Sequence, residues 1–171
     1  ADATGYTLAN AVSLAANTTI GGTGALTFSN TMTDSNSYTL TVNNSALTTL
    51  GAVALSSSTT ARTLTIAGSG NVTITGVVSG GAATNGVGSL TQGGTGILTL
   101  SNTGNSYGGT SNTGTTTINS GTLRLGANNV LSTGPLNVNG TGTLDMGTYS
   151  EAVAAVTVGA TNGGITSTSG T

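Results

Sequence analysis

Residues 90–100, Leu90-Thr91-Gln92-Gly93-Gly94-Thr95-Gly96-Ile97-Leu98-Thr99-Leu100, read as a strand, a glycine corner and a second strand. In Ile97-Leu98-Thr99-Leu100, apolar and polar residues alternate, the period of a chain with one face buried. Thr, Val and Ile suit this setting because branching at Cβ packs well on a pleated surface. The glycines between the strands permit a tight corner.

The same unit recurs along the chain. Thr18-Thr19-Ile20 is followed by Gly21-Gly22-Thr23-Gly24 and then Ala25-Leu26-Thr27-Phe28. Further copies centre on Leu40-Thr41-Val42, Leu64-Thr65-Ile66, Thr116-Thr117-Ile118, Leu136-Asn137-Val138 and Val156-Thr157-Val158. Anchoring each first strand on Ile20, Val42, Ile66, Gln92, Ile118, Val138 and Val158 gives steps of 22, 24, 26, 26, 20 and 20 residues, with a mean of 23. That spacing suits one coil of two or three short strands, and a coil that cannot bury its inward face alone must stack on the next. The expected fold is all-β: a right-handed parallel β-helix, or β-solenoid, of about seven coils forming a single domain over residues 1–171.

Stacking predicts columns of like residues. Ile20, Val42, Ile66, Ile118, Val138 and Val158 form one inward column, broken by Gln92, and Leu26, Val72, Leu98, Leu123 and Leu144 form another. Gln92 must bond a neighbour or turn outward, because an unpaired buried amide costs ~1–3 kcal/mol. Arg124 and Asp145 should be neighbours in successive coils, as should Asn119 and Asn139, and Tyr38 and Arg62. The segment from Ser101 to Ser111 is expected to protrude as a loop. Ala9 to Ala16 is the one candidate for a helix that would cap the tube, and its pattern is weak.

Composition restricts the chemistry. Gly, Thr, Ser and Asn make up 103 of the 171 residues, and 4% are charged. There is no Cys, His, Lys or Trp; the cations are Arg62 and Arg124, and the acids are Asp2, Asp34, Asp145 and Glu151. A Walker phosphate loop lacks its Lys. A zinc site lacks Cys and His, and a Ser-His or Cys-His triad lacks its base. Two arginines cannot neutralise a nucleic-acid backbone. No run of 18 or more apolar residues is present, so no segment reads as membrane-inserting.

Two glycine runs imitate functional loops. Gly94-Thr95-Gly96 leads into a strand rather than a helix, unlike a dinucleotide fingerprint. Gly21 to Ser29 and Gly93 to Ser101 match the glycines of a calcium-binding nonapeptide repeat, but Leu26 and Leu98 occupy its Asp position. Glycosidases place two carboxylates ~5–9.5 Å apart. The acids here are few and fall in different coils, so the chain is read as non-catalytic, without cofactor or metal. Sequons at Asn17, Asn43, Asn71 and Asn139 carry little weight in a chain so rich in Thr and Ser.

From Leu90 to Gly126 the chain reads LTQGGTGILTLSNTGNSYGGTSNTGTTTINSGTLRLG. This resembles the autotransporter-associated β-strand repeat, also called the passenger-associated transport repeat. The matching features are Gly94-Thr95-Gly96, Leu98-Thr99-Leu100-Ser101, Asn105, Tyr107-Gly108-Gly109-Thr110 and Thr116-Thr117-Ile118-Asn119-Ser120-Gly121-Thr122-Leu123. Residues 22–30 and 136–146 look like divergent copies. The resemblance implies a secreted or surface-displayed bacterial β-helix with no catalytic residues. The chain opens on Ala1 and ends within what reads as a further coil, so a segment or processed product of a longer secreted chain is expected. No membrane barrel follows the repeats within this sequence, and self-transport is not assigned to it.

The expected role is a structural stalk, fibre or filament subunit, outside the cell or on the bacterial surface, self-associating end to end through its open strand edges. The alternative is a binding face made of Thr. The outward pairs Thr39 and Thr41, Thr63 and Thr65, Ser89 and Thr91, and Thr115 and Thr117 would form a two-column array. Such an array could present hydroxyls to a repetitive glycan, where weak sites add by avidity, or to ice.

Overall fold

The computed structural model describes residues 5–55, 61–80, 87–109 and 113–168, and among these every regular element is a strand. The first coil consists of β1 (Tyr6–Leu8), β2 (Val12–Leu14) and β3 (Thr18–Gly22). Two three-strand coils follow: β4 (Leu26–Phe28), β5 (Met32–Asp34) and β6 (Thr39–Asn44), then β7 (Thr48–Leu50), β8 (Val53–Leu55) and β9 (Arg62–Ala67). Next come β10 (Val72–Ile74), β11 (Val78–Ser79), β12 (Gly88–Gln92), β13 (Ile97–Leu100) and β14 (Thr116–Ile118). The chain continues with β15 (Thr122–Leu125), β16 (Leu136–Gly140), β17 (Thr143–Asp145), β18 (Val156–Ala160) and β19 (Gly164–Thr166).

These strands make three parallel sheets, the sides of a β-solenoid of about seven turns. The first side has eight strands, in the order β1, β4, β7, β10, β13, β15, β17 and β19. The third side has seven, from β3 through β6, β9, β12, β14 and β16 to β18. The second side has four, β2, β5, β8 and β11. It is then continued by irregular backbone, in which Ser106 bridges Ser79.

The alternation seen in the sequence becomes a continuous core. Leu40, Leu64, Leu90, Leu98, Leu100, Ile118, Leu123 and Val138 are all buried. The column Leu26, Val72, Leu98, Leu123 and Leu144 forms as expected, with Thr48 between its first two members and Ile165 after its last. Gln92 stays inside; its Nε2 donates to the carbonyls of Gly94 at 3.1 Å and Gly96 at 3.0 Å.

The other inward column is corrected. Ile20 does stack on Val42, but β6 meets β9 two residues away from the expected alignment, so that Leu40, not Val42, pairs with Ile66. From there the column runs through Gln92, Ile118, Val138 and Val158. Gly68 and Gly70 favour this register: a Cβ on Gly68 would lie 2.2 Å from the Val42 carbonyl oxygen. Asn43 Oδ1 also accepts the Ser69 N–H. The expected Tyr38–Arg62 pair therefore does not form; Arg62 Nη1 donates to Asn36 Oδ1, and Tyr38 accepts the Thr65 N–H at its carbonyl.

Two further expectations are corrected. Val12–Leu14, inside the candidate cap, is strand β2 rather than helix. The segment around Tyr107 does not protrude: Tyr107 is fully buried, with its hydroxyl 2.6 Å from Thr116 Oγ1, and Gly108 is buried beside it. Asn105 takes over the role of the strand ladder here. Its Oδ1 accepts the Val78 N–H and its Nδ2 donates to the Val130 carbonyl, both at 2.7 Å, which stitches three successive turns. Residues 110–111 of the expected loop lie outside the described residues.

Candidate functional site

The candidate face is the outer surface of the third side. Leu40, Val42, Leu64, Ile66, Leu90, Gln92, Thr116 and Ile118 point inward, so the residues between them point out. Thr39, Thr41, Thr63, Thr65, Ser89, Thr91, Thr115 and Thr117 are all outward and half-buried by their neighbours above and below.

The register regroups them. Thr39, Thr65, Thr91 and Thr117 form one column, continued by Asn137 and Thr157. Thr63 pairs with Ser89, and Thr115 stands above Ser89. Thr41, expected beside Thr65, instead stacks between Thr19 and Ala67. The cause is the same two-residue displacement of β9 on β6.

The columns differ in what their hydroxyls do. Ser37 Oγ accepts the Thr63 N–H at 3.1 Å, and Ser89 Oγ accepts the Thr115 N–H at 3.0 Å. Thr115 Oγ1 donates to Ser89 Oγ as well. This edge column satisfies backbone donors at strand starts. The hydroxyls of Thr39, Thr65, Thr91 and Thr117 make no hydrogen bond to the described residues and remain available to solvent or ligand.

The sequence reading missed a longer threonine column on the first side. Thr7, Thr27, Thr49, Thr73 and Thr99 stand in unbroken register across five strands. Arg124, Asp145 and Thr166 complete the same line. The signal was present: each of these threonines sits between two residues that turn inward, as in Val72-Thr73-Ile74.

The acids are separated by structure and by role. Asp145 Oδ2 pairs with Arg124 Nε at 2.8 Å, as the stacking predicted, and this contact holds its carboxyl below the usual range. Glu151 is half-buried, and burial pushes its carboxyl up even though Oε2 accepts the Val130 and Leu131 N–H groups at 2.8 and 3.0 Å. It closes backbone donors of the turn below. Asn139 Nδ2 donates to Asn119 Oδ1 at 3.2 Å, which gives the expected amide ladder.

Asp34 is one of the four acids in the sequence. It ends β5 facing inward between Leu14 and Leu55, and it is fully buried. Neither carboxylate oxygen has a partner in hydrogen-bond geometry. The nearby N–H groups of Asn36 and Tyr38 and the Arg62 guanidinium oppose the rise only in part, and burial pushes the carboxyl up to about 6.

A cleft of about 290 Å³ opens at the first coil, lined by Tyr6, Gly21, Gly22, Thr23, Gly24, Leu26 and Asn44. Its lining has no carboxylate or cation; Gly21 and Gly22 end β3, and Thr23-Gly24 turns the corner toward β4. Among the described residues, no three carboxylates come together. The arrangement offers stacked hydroxyls and open strand edges. No family model, curated protein or solved structure matches the chain.

Proposed function

We propose that the chain is a non-catalytic structural rod, a stalk or filament subunit of an extracellular or bacterial surface assembly. One observation carries this reading: the inward apolar residues of the first and last described coils are exposed. Among the described residues, the exposed large apolar side chains include Tyr6 and Leu8 of β1, Val156 and Val158 of β18 and Ile165 of β19. These occupy inward positions of terminal strands, with a covered neighbour on one side only. Such edges favour continued stacking, because unpaired backbone groups and apolar side chains gain partners together. Electron microscopy of the purified chain over a concentration series tests this. Growing rods are the expected result, and uniform short particles at all concentrations would oppose it.

A second reading rests on the free hydroxyls of Thr39, Thr65, Thr91 and Thr117. A column with lateral repeats of ~4.8 Å can contact a repetitive glycan at several hydroxyls, each weak alone. The same regularity applies to an ice surface. A glycan array and a thermal-hysteresis measurement test the two ligands. Replacing Thr91 with Lys should abolish either activity without unfolding the chain; a variant that kept full activity would remove this face from consideration.

A further inference from the structure

We infer that Asp34 and Arg62 form a pH-operated latch in the wall of the tube. With its proton, Asp34 stays inside and keeps the second coil closed on the third; without it, Asp34 swings out to Arg62 and loosens that wall. The inference holds whether the rod is a stalk or a filament subunit. The charges of this chain are few, and most are already matched. Asp145 is paired with Arg124 on the neighbouring coil. Glu151 accepts the N–H groups of Val130, Leu131 and Ala152. Asp2 lies outside the described residues. Asp34 on β5 and Arg62 on β9 are the remaining acid and cation, on successive coils, and they make no ion pair with each other.

Both are incomplete where incompleteness is costly. Asp34 is fully buried, and neither carboxyl oxygen has a hydrogen-bond partner. Arg62 Nε is buried and has none either, while Nη1 reaches Asn36 Oδ1, two residues beyond Asp34. Buried polar groups are nearly all satisfied in folded proteins, so two orphans of opposite charge at one corner need a reason. The residues facing Asp34 do not complete it. β2 supplies Leu14, whose carbonyl accepts the Ser35 hydroxyl, and β8 supplies Leu55. Asn36 and Tyr38 bring backbone N–H groups near, and the Tyr38 side chain packs against the core. Among the described residues, Arg62 at the head of β9 is the one charged group acting on Asp34, and Tyr38 is the other titratable residue beside it.

The position allows the movement. Asp34 is the last residue of β5 and is followed by the exposed Ser35, Asn36 and Ser37, so turning it outward alters a corner and leaves the strand in place. A neutral carboxyl is tolerated between two leucines. An ionised one loses its hydration there, and burial pushes the group up to about 6 even with the Arg62 guanidinium opposing. Swinging out gives the carboxylate both water and the guanidinium, and it gives Arg62 Nε the acceptor it lacks. The place between Leu14 and Leu55 is then vacated, and the side built from β2, β5 and β8 loosens.

The scarcity of charge makes a clean test possible. The whole chain is titrated by NMR from about pH 4 to about pH 8, the range that brackets a raised carboxyl. Its two arginines give two Nε–H signals, and that of Arg124, already bonded to Asp145, serves as the reference. The Arg62 signal should move with the Asp34 carboxyl carbon at one midpoint. The methyl signals of Leu14 and Leu55 should shift at that same midpoint, and those of Leu98 on β13 should not. Asp34→Asn should abolish all of these movements. Arg62→Gln removes the outer partner and should make Asp34 a roughly tenfold weaker acid. An Arg62 signal that stays flat while Asp34 titrates would overturn the latch, as would an Arg62→Gln chain in which the Asp34 midpoint is unchanged. Asp34 found already ionised at the acid end of the range, as an ordinary aspartate at 3.8 would be, would overturn it as well.

Discussion

Asp34 puts a buried carboxyl where its neighbours in the column are Leu14 and Leu55. A charge there loses its hydration without gaining a hydrogen bond, so the neutral form is favoured. Its pKa rises from the ordinary 3.8 to about 6 on folding. The folded chain thus holds this proton more tightly than the unfolded chain does. Its contribution is fully present below pH 3.8 and is lost as the pH climbs through 6. That rise corresponds to roughly 3 kcal/mol. Glu151 is also raised and acts in the same direction; Asp145 is lowered and acts oppositely at acid pH, with solvent screening its exposed ion pair. The chain should therefore melt at a higher temperature at pH 5 than at pH 8. Asp34→Asn keeps the size and removes the charge, so it should be the more stable protein at pH 8 and should flatten the pH dependence of the melting temperature. An unchanged slope in this variant would show that Asp34 is not the group responsible.

Among the elements, the glycines at the corners divide into those that stacking requires and those it does not. A Cβ on Gly96 would lie 2.2 Å from the Gly70 carbonyl oxygen, which is backbone and cannot move aside. A Cβ on Gly21 would meet nothing within 4 Å. Gly96→Ala should therefore destabilise the chain by on the order of 2–4 kcal/mol in denaturant titration, while Gly21→Ala should stay within about 0.5 kcal/mol. Equal effects would refute the close stacking of these corners. The two runs look alike in the sequence, and only the position of the coil below separates them. The β6–β9 register was hidden for a related reason. A slip of two residues keeps every side chain on its own face, so the alternation of Arg62 to Ala67 fits both alignments. The contact that distinguishes them, Gly68 against the Val42 carbonyl, exists only between coils. Where the sequence carried complementary partners, as in Arg124 with Asp145 and Asn119 with Asn139, the stacking was legible at single-residue resolution. Nothing in the sequence around Tyr107 marks it as buried, because its surroundings are Gly, Ser and Asn; its burial depends on Thr116 and on a second side that has lost its regular strands. Asp34 and the column from Thr7 to Thr99 needed no new signal, only attention to the strands other than the first in each repeat.

For the whole molecule, each coil is stabilised by its two neighbours, and the terminal coils have one each. Amide exchange should follow that arrangement. Protection is expected to be greatest for β6 to β15, whose inward residues are covered on both sides, and least for β1, β18 and β19. The same asymmetry separates two substitutions. Leu98 is fully buried in the middle of the tube, and Leu98→Ala should lose about 2–5 kcal/mol of stability through the cavity it leaves. Val158 is 54% exposed on the last third-side strand, so Val158→Ala removes few contacts from a single copy. Its melting temperature at high dilution should stay close to that of the parent chain. In a filament, however, Val158 is covered by the next copy, and shortening it removes apolar area from every joint. Val158→Ala should therefore raise the concentration needed for growth, and Leu98→Ala, measured well below its melting temperature, should not. Exchange across residues 156–166 should also slow as the parent chain is concentrated, and slow less in Val158→Ala. If instead those residues exchange at one rate at every concentration, the open end is a stable terminus, and the rod does not grow through it.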